Sequence, residues 1–324
     1  MKVLITGGGG FIGSHLVDSQ LAQGNQVRAV DLQTAQLAHV AGNPRLEIIT
    51  GDVADEALAQ QLVQGIDVVY HLASAHLDVT LPEAHYHRVN VDATINLLRA
   101  AREAGVARFV HCSSNGVVGK IQNPPVDETV ACHPTNIYEQ TKLLGEQAAR
   151  AFAHEAGFPV VVVRPAWVYG SRCPRTARLM RAVKKGRFVL FGNGRTLRHP
   201  IYITDAVRGL ELCAIGEGAV GQVYFIAGPE SVTINELVQT IAEVQGFRSP
   251  RLRLPLVLGL AAAYAAQWLF KPLRRPPPIS RRTLDFFTKD NAYDVSKARR
   301  ELGFAPQVKL RAGLEMTLLQ IQPL

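Results

Sequence analysis

Four consecutive glycines, Gly7 to Gly10, follow directly on the apolar run Val3-Leu4-Ile5, and Gly13 stands a few positions further on. A chain that turns on glycines straight after an apolar run, and then enters a helical pattern, is committed to a strand, loop and helix unit. Only glycine lets backbone N–H groups come close enough to cradle a pyrophosphate at the helix N-terminus. The stretch Thr6-Gly7-Gly8-Gly9-Gly10-Phe11-Ile12-Gly13 satisfies both G-x-G-x-x-G and T-G-x-x-G-x-x-G, so spacing leaves open which glycine does which task. Gly7, Gly10, Phe11, Ile12 and Gly13 are the candidate cradle of a dinucleotide.

Downstream, short apolar runs alternate with helical patterns: Gln26 to Asp31, Leu46 to Gly51, Val68 to Leu72, Phe109 to Ser113 and Val160 to Arg164 read as strands. Each ends where small or polar residues begin, as strands buried on both faces and feeding a ligand crevice do. The fold class is therefore α/β, a Rossmann-type doubly wound parallel sheet with a smaller C-terminal substrate-binding lobe. Residues 1–170 are the expected cofactor domain and 171–324 the expected lobe, with one return to the sheet near Gln222 to Ala227. Asp31 ends the second strand, where a carboxylate binds ribose hydroxyls and repels a 2′-phosphate. Leu32 and Gln33 follow it, with no arginine to welcome that phosphate, so NAD is expected rather than NADP.

Tyr138 and Lys142 lie four residues apart in a helical pattern and so share a face. A phenol is a poor base near neutrality, and an ammonium beside it favours the phenolate, which fits it to exchange a substrate proton. The same spacing recurs at Tyr293 and Lys297. There Asp294 or Ser296 reads as a helix cap far from the first sheet, so that pair is expected to be structural. Ser114, just beyond the Phe109 to Ser113 strand, would lie in the crevice and orient a substrate oxygen.

These motifs resemble, in order and over nearly the whole chain, those of the extended short-chain dehydrogenase/reductases: the glycine loop, Asp52-Val53, His71-Leu72-Ala73, Asn90, Ser113-Ser114, Tyr138 with Lys142, and Arg164-Pro165 through Tyr169-Gly170. The resemblance implies Tyr138 as acid/base, Lys142 on the nicotinamide ribose and Ser114 on the substrate oxygen. It also implies cofactor contacts from Asp52, Val53, Leu72, Ala73, Asn90, Pro165 and Val168, and substrate contacts from Asn115, Trp167 and Arg198. Dehydratases and decarboxylases of that family carry an acid just after the serine, where this chain has Asn115, so elimination is not expected. The Arg164 to Gly170 segment lacks the asparagine that many sugar-nucleotide epimerases use on a diphosphate, whereas Arg198 matches their arginine or is a surface residue. An epimerase with tightly held NAD, and a non-catalytic scaffold that binds NAD, are the alternatives to a redox enzyme.

The uncharged stretch Leu254 to Phe270 has basic residues on both sides, among them Arg251, Arg253, Lys271, Arg274, Arg275, Arg281 and Arg282, and the net charge is +8. It sits at the short limit for spanning a bilayer (~17 to 25 residues) and contains Pro255. A helix at a membrane surface, with Trp268 at headgroup depth, and an apolar lid or core helix are the two readings. Both favour a hydrophobic substrate, and the order of this segment and the motifs after it resembles the 3β-hydroxysteroid dehydrogenase branch. Peripheral membrane contact through 254–282 and a homodimer are the expected associations. No base-reading motif points to nucleic acid. The four cysteines show no metal spacing, so no metal is expected and the thiols are read as reduced. The N-terminal apolar run stops at Thr6-Gly7, too early for a signal peptide, which places the protein in the cytoplasm or at the inner face of a membrane.

Overall fold

The computed structural model describes residues 1–76, 81–250, 252–270 and 281–320. Six strands arise where the apolar runs predict them: β1 Lys2–Thr6, β2 Gln26–Asp31, β3 Leu46–Thr50, β4 Val68–His71, β5 Arg108–Cys112 and β6 Val160–Pro165. With a return strand, Val223–Ile226, they form one seven-stranded parallel sheet in the order return strand, β6, β5, β4, β1, β2, β3. The order reverses between β1 and β4, so their carboxyl ends flank a crevice at the switch point.

Helices cover both faces and divide the core. One apolar cluster joins Val3, Ile5, Leu16 and Val110 to lobe residues such as Tyr224, Ile234 and Leu314. The other packs Leu4, Val30, Val69, Leu97 and Phe109 on the opposite face. The first cluster runs without a break from β1 through the return strand to residues of the C-terminal third such as Leu314.

Two helices set the site. Phe11–Ala22 starts at the glycine loop with no side-chain cap and no acidic residue in its first turn, so its leading N–H groups face the crevice. Ile137–Ala156 is capped by the Asn136 side chain, which accepts from Glu139 N at 3.0 Å, and closes on Gly157 in the left-handed conformation. Midway along it Gly145 lies against the turn Arg88–Asp92. A Cβ there would come within 2.3 Å of the Asn90 carbonyl, so glycine is what allows the close approach.

In the lobe, Leu256–Phe270 is a helix that packs through Ala263 and the Gly259 face on Phe191 and Leu284. Its other sides carry Val257, Leu258, Tyr264, Trp268 and Leu269 into solvent, Trp268 at 83% exposure. Among the described residues no helix is long and apolar enough to cross a membrane. Of the basic residues expected to flank this helix, Arg251, Lys271, Arg274 and Arg275 lie outside the described residues.

Candidate active site

A cavity of about 450 Å³ runs from the glycine loop to the lobe, lined at one end by Gly7, Gly10, Phe11, Ile12 and Gly13, in the middle by Ser114, Tyr138 and Lys142, and at the other end by Trp167, Arg198 and Phe286. The loop is shaped by missing side chains. A Cβ on Gly13 would come within 2.0 Å of the Gly7 carbonyl, and one on Gly9 within 1.8 Å of the Gln33 carbonyl. Gly7 adopts a φ of +71°, which favours glycine. The carboxylate of Asp31 sits beside this loop and accepts from Gly9 N at 3.1 Å and Gln33 N at 3.0 Å. Donors at an uncapped helix start, backbone free of side chains and a carboxylate at the strand end fit a dinucleotide bearing free ribose hydroxyls.

Ser114 leaves β5 in an extended conformation, and its Oγ accepts from Gly116 N at 3.1 Å, so the hydroxyl hydrogen remains available to a substrate oxygen. Tyr138 packs edge-on against His76, with ring centroids 4.5 Å apart, and joins the small apolar cluster of Ala75, Tyr86 and Val89. Lys142 is 2% exposed and donates to the Cys112 carbonyl at 2.6 Å. Burial lowers its pKa below the ordinary lysine value, opposed by the thiol of Cys112 and the carboxylate of Glu146.

Beneath this trio lies a buried polar network that motif reading missed. Glu146 takes Arg164 in a two-pronged pair, 2.6 Å from Nη2 to Oε1 and 3.0 Å from Nε to Oε2, and also accepts from Ser113 Oγ at 2.7 Å. The end of β5, the Tyr138 helix and the end of β6 are thereby fixed to one carboxylate. The available signal was spacing, since Glu146 stands one helical turn after Lys142 on the same face. On the other side His71 pairs through Nδ1 with Thr6 Oγ1 at 2.8 Å and through Nε2 with Thr94 Oγ1 at 3.0 Å, and burial pulls its pKa down to about 3.

The remaining expected contacts have these surroundings. Asn90 is 1% exposed and makes its side-chain hydrogen bonds to Ser74, Ala75 and Thr141, tying the strand end below the cleft to the Tyr138 helix. Asp52 pairs with Arg88 at 2.7 Å, Val53 is buried in the second core cluster, and Ala73 N donates to Thr6 Oγ1. Leu72, Asn115, Pro165 and Val168 line the cleft.

Arg198 is 5% exposed, which corrects its reading as a surface residue. Its Nη2 donates to the carbonyls of Asp285 and Phe286 near the end of the helix Arg281–Thr288, and its guanidinium lies over the Phe286 ring at 4.5 Å. Burial lowers its pKa to about 10.

The second Tyr/Lys pair also needs correction. It is not far from the sheet: Tyr293 stacks on Phe225 of the return strand at 4.6 Å, and Lys297 donates to the Val223 carbonyl at 3.1 Å. Tyr293 precedes the helix Ser296–Leu302, so the two side chains do not share a helical face.

A Rossmann sheet that brings a glycine cradle and a Ser/Tyr/Lys trio to one switch-point cleft defines the class, the extended short-chain dehydrogenase/reductases. Within it the chain belongs to the NAD dependent epimerase/dehydratase family, whose profile matches residues 3–227. It is 32% identical to the 3 beta-hydroxysteroid dehydrogenase/Delta 5-->4-isomerase of Mycobacterium tuberculosis, covering 94% of this chain and 86% of that protein. It is 30% identical to the 2-alkyl-3-oxoalkanoate reductase of Stenotrophomonas maltophilia, covering 97% of each. Among solved structures, UDP-glucuronic acid 4-epimerase from Bacillus cereus in complex with NAD superposes with a TM-score of 0.82 at 28% identity and 99% coverage of both chains.

Proposed function

We propose that this enzyme interconverts a secondary alcohol and a ketone on a hydrophobic substrate, of sterol-like or long-chain 3-hydroxy/3-keto type. NAD, when bound, supplies the hydride acceptor at its nicotinamide. Tyr138 removes the hydroxyl proton, Ser114 holds the oxygen by its free hydrogen, and Lys142 keeps a positive charge beside the phenol. Asn115 and Trp167 meet the substrate beyond them. Residues 1–170 with the return strand hold the cofactor, and the rest of 171–324 shapes the substrate end.

The observation that carries this reading is the composition of that end. Trp167 and Phe286 form its apolar wall beside the polar Arg175, Lys289 and Asn291, while Arg198 gives Nη2 to backbone carbonyls and its face to Phe286. The arginine that would grip a diphosphate in a nucleotide-sugar epimerase thus spends Nη2 on the carbonyls of the helix Arg281–Thr288 and its face on Phe286, and on that ground we put epimerisation second. NADH absorbance with sterols and long-chain 3-hydroxy and 3-keto compounds tests the proposal, and no turnover across that panel overturns it.

The exposed apolar sides of Leu256–Phe270 support a further part of the reading, peripheral contact with the inner face of an anionic membrane. Cosedimentation with anionic and with neutral vesicles measures it. A homodimer is part of the same proposal and is read by analytical ultracentrifugation.

A further inference from the structure

The Tyr293-to-Lys297 spacing plays no part in hydride transfer, yet its tyrosine reaches the cleft by another route. Tyr293 is 3% exposed, and its backbone N donates to His199 Nδ1 at 3.1 Å. Its hydroxyl meets two asparagines that line the cleft, Asn115 and Asn291.

The direction of this short chain is fixed at its far end. Asn291 Nδ2 donates to the Lys289 carbonyl at 3.3 Å, and a carbonyl only accepts, so Asn291 turns Oδ1 toward Tyr293. The Tyr293 hydroxyl therefore donates to that Oδ1 at 2.9 Å, which leaves its oxygen to accept. Asn115 meets that oxygen with Nδ2, at 2.9 Å. Its Oδ1 is then the outward end of the carboxamide, one residue on from the serine that holds the reacting oxygen, and it makes no hydrogen bond among the described residues.

We propose that Tyr293 is a positioning residue that locks Asn115 as a hydrogen-bond acceptor toward the substrate, so that the site favours a substrate with a hydroxyl or N–H donor next to the reacting carbon. This rests on the reading of Asn115 as a substrate contact. A carboxamide held this way offers an acceptor but has no carboxyl proton to exchange, so it selects without adding a second acid/base.

Calorimetry on the enzyme loaded with NAD tests this with two probes that carry the same secondary alcohol, dodecane-1,2-diol and 2-dodecanol. The expected result is about tenfold tighter binding of the diol, the worth of one neutral hydrogen bond. Tyr293→Phe keeps the stacked ring and removes the hydroxyl, and the two affinities then converge; Asn115→Ala brings them together as well. A merely structural tyrosine would weaken both probes alike and preserve their ratio. Equal affinities in the wild type, a ratio that survives Tyr293→Phe, or binding of neither probe overturns the proposal. Diol preference without turnover in the absorbance assay would sink the redox reading and spare this one, and turnover with equal affinities would do the reverse.

Discussion

The two ends of the cleft are held by opposite means. At the sheet end buried polar contacts anchor the side chains in and beneath the site: Lys142 to a carbonyl, Ser113 and Arg164 to Glu146, His71 between two threonines. At the lobe end an aromatic wall, Trp167 and Phe286 backed by Phe287 and Phe191, stands beside polar groups such as Arg175 and Lys289, and behind it lies a helix with much of its apolar surface in solvent. The first arrangement fixes atoms within the tolerance that proton transfer needs. The second fixes shape and hydrophobicity, and tolerates exchange of one apolar group for another. On the proposed function, chemistry and selectivity fall to two kinds of packing in one molecule.

The sharpest way to break that contrast is at the sheet end. Tyr138→Phe should lower kcat by about a thousandfold, the scale of general acid–base catalysis, with NAD affinity retained. A single-turnover assay on the substrate identified by the panel measures it. Glu146→Gln leaves Arg164 buried without its charge partner and should cost about 3 to 5 kcal/mol in a denaturant melt. A loss no larger than that of a surface substitution would show that the network is dispensable.

Acid should act on the same end. His71 has a folded pKa of about 3 against an ordinary 6.5, so below 6.5 the unfolded chain takes up a proton that the folded one refuses. From that group stability falls as pH drops from 6.5 toward 3, by about 1.4 kcal/mol per unit, and is unaffected above that window. The acid limb of the unfolding profile should be shallower in His71→Asn. Asp31→Ala should narrow the preference for NAD over NADP by about tenfold, read from the ratio of their binding constants.

The smallest stability effect is expected at the lobe end. Trp268→Glu, at a position 83% exposed, should change unfolding free energy by less than about 0.5 kcal/mol while reducing binding to anionic vesicles. A large loss of stability there would show that the helix face is covered within the folded protein.

Much of the sheet end was legible because its signals are local. A glycine run after a strand, a carboxylate at the next strand end and a tyrosine one helical turn before a lysine are each set by backbone geometry over a few residues. Glu146 was one step further away, visible in spacing but meaningless until Arg164 and Ser113 arrived from two other strands. The hydrogen bonds of the Asn90 amide to Ala75 and Thr141 were not legible, because those partners come from separate segments of the chain.

By itself the sequence determined the class of fold and the glycine loop, and it nominated the side chains proposed to react, since these follow from residue type and short-range period. Only the tertiary structure decided what Arg198 and Tyr293 do. One, read either as a diphosphate contact or as a surface residue, is buried against the carbonyls of the helix Arg281–Thr288, and the other is drawn from an expected remote helix onto Asn115. Both outcomes depend on partners distant in the chain, and a buried donor takes whichever acceptor the packing brings to it.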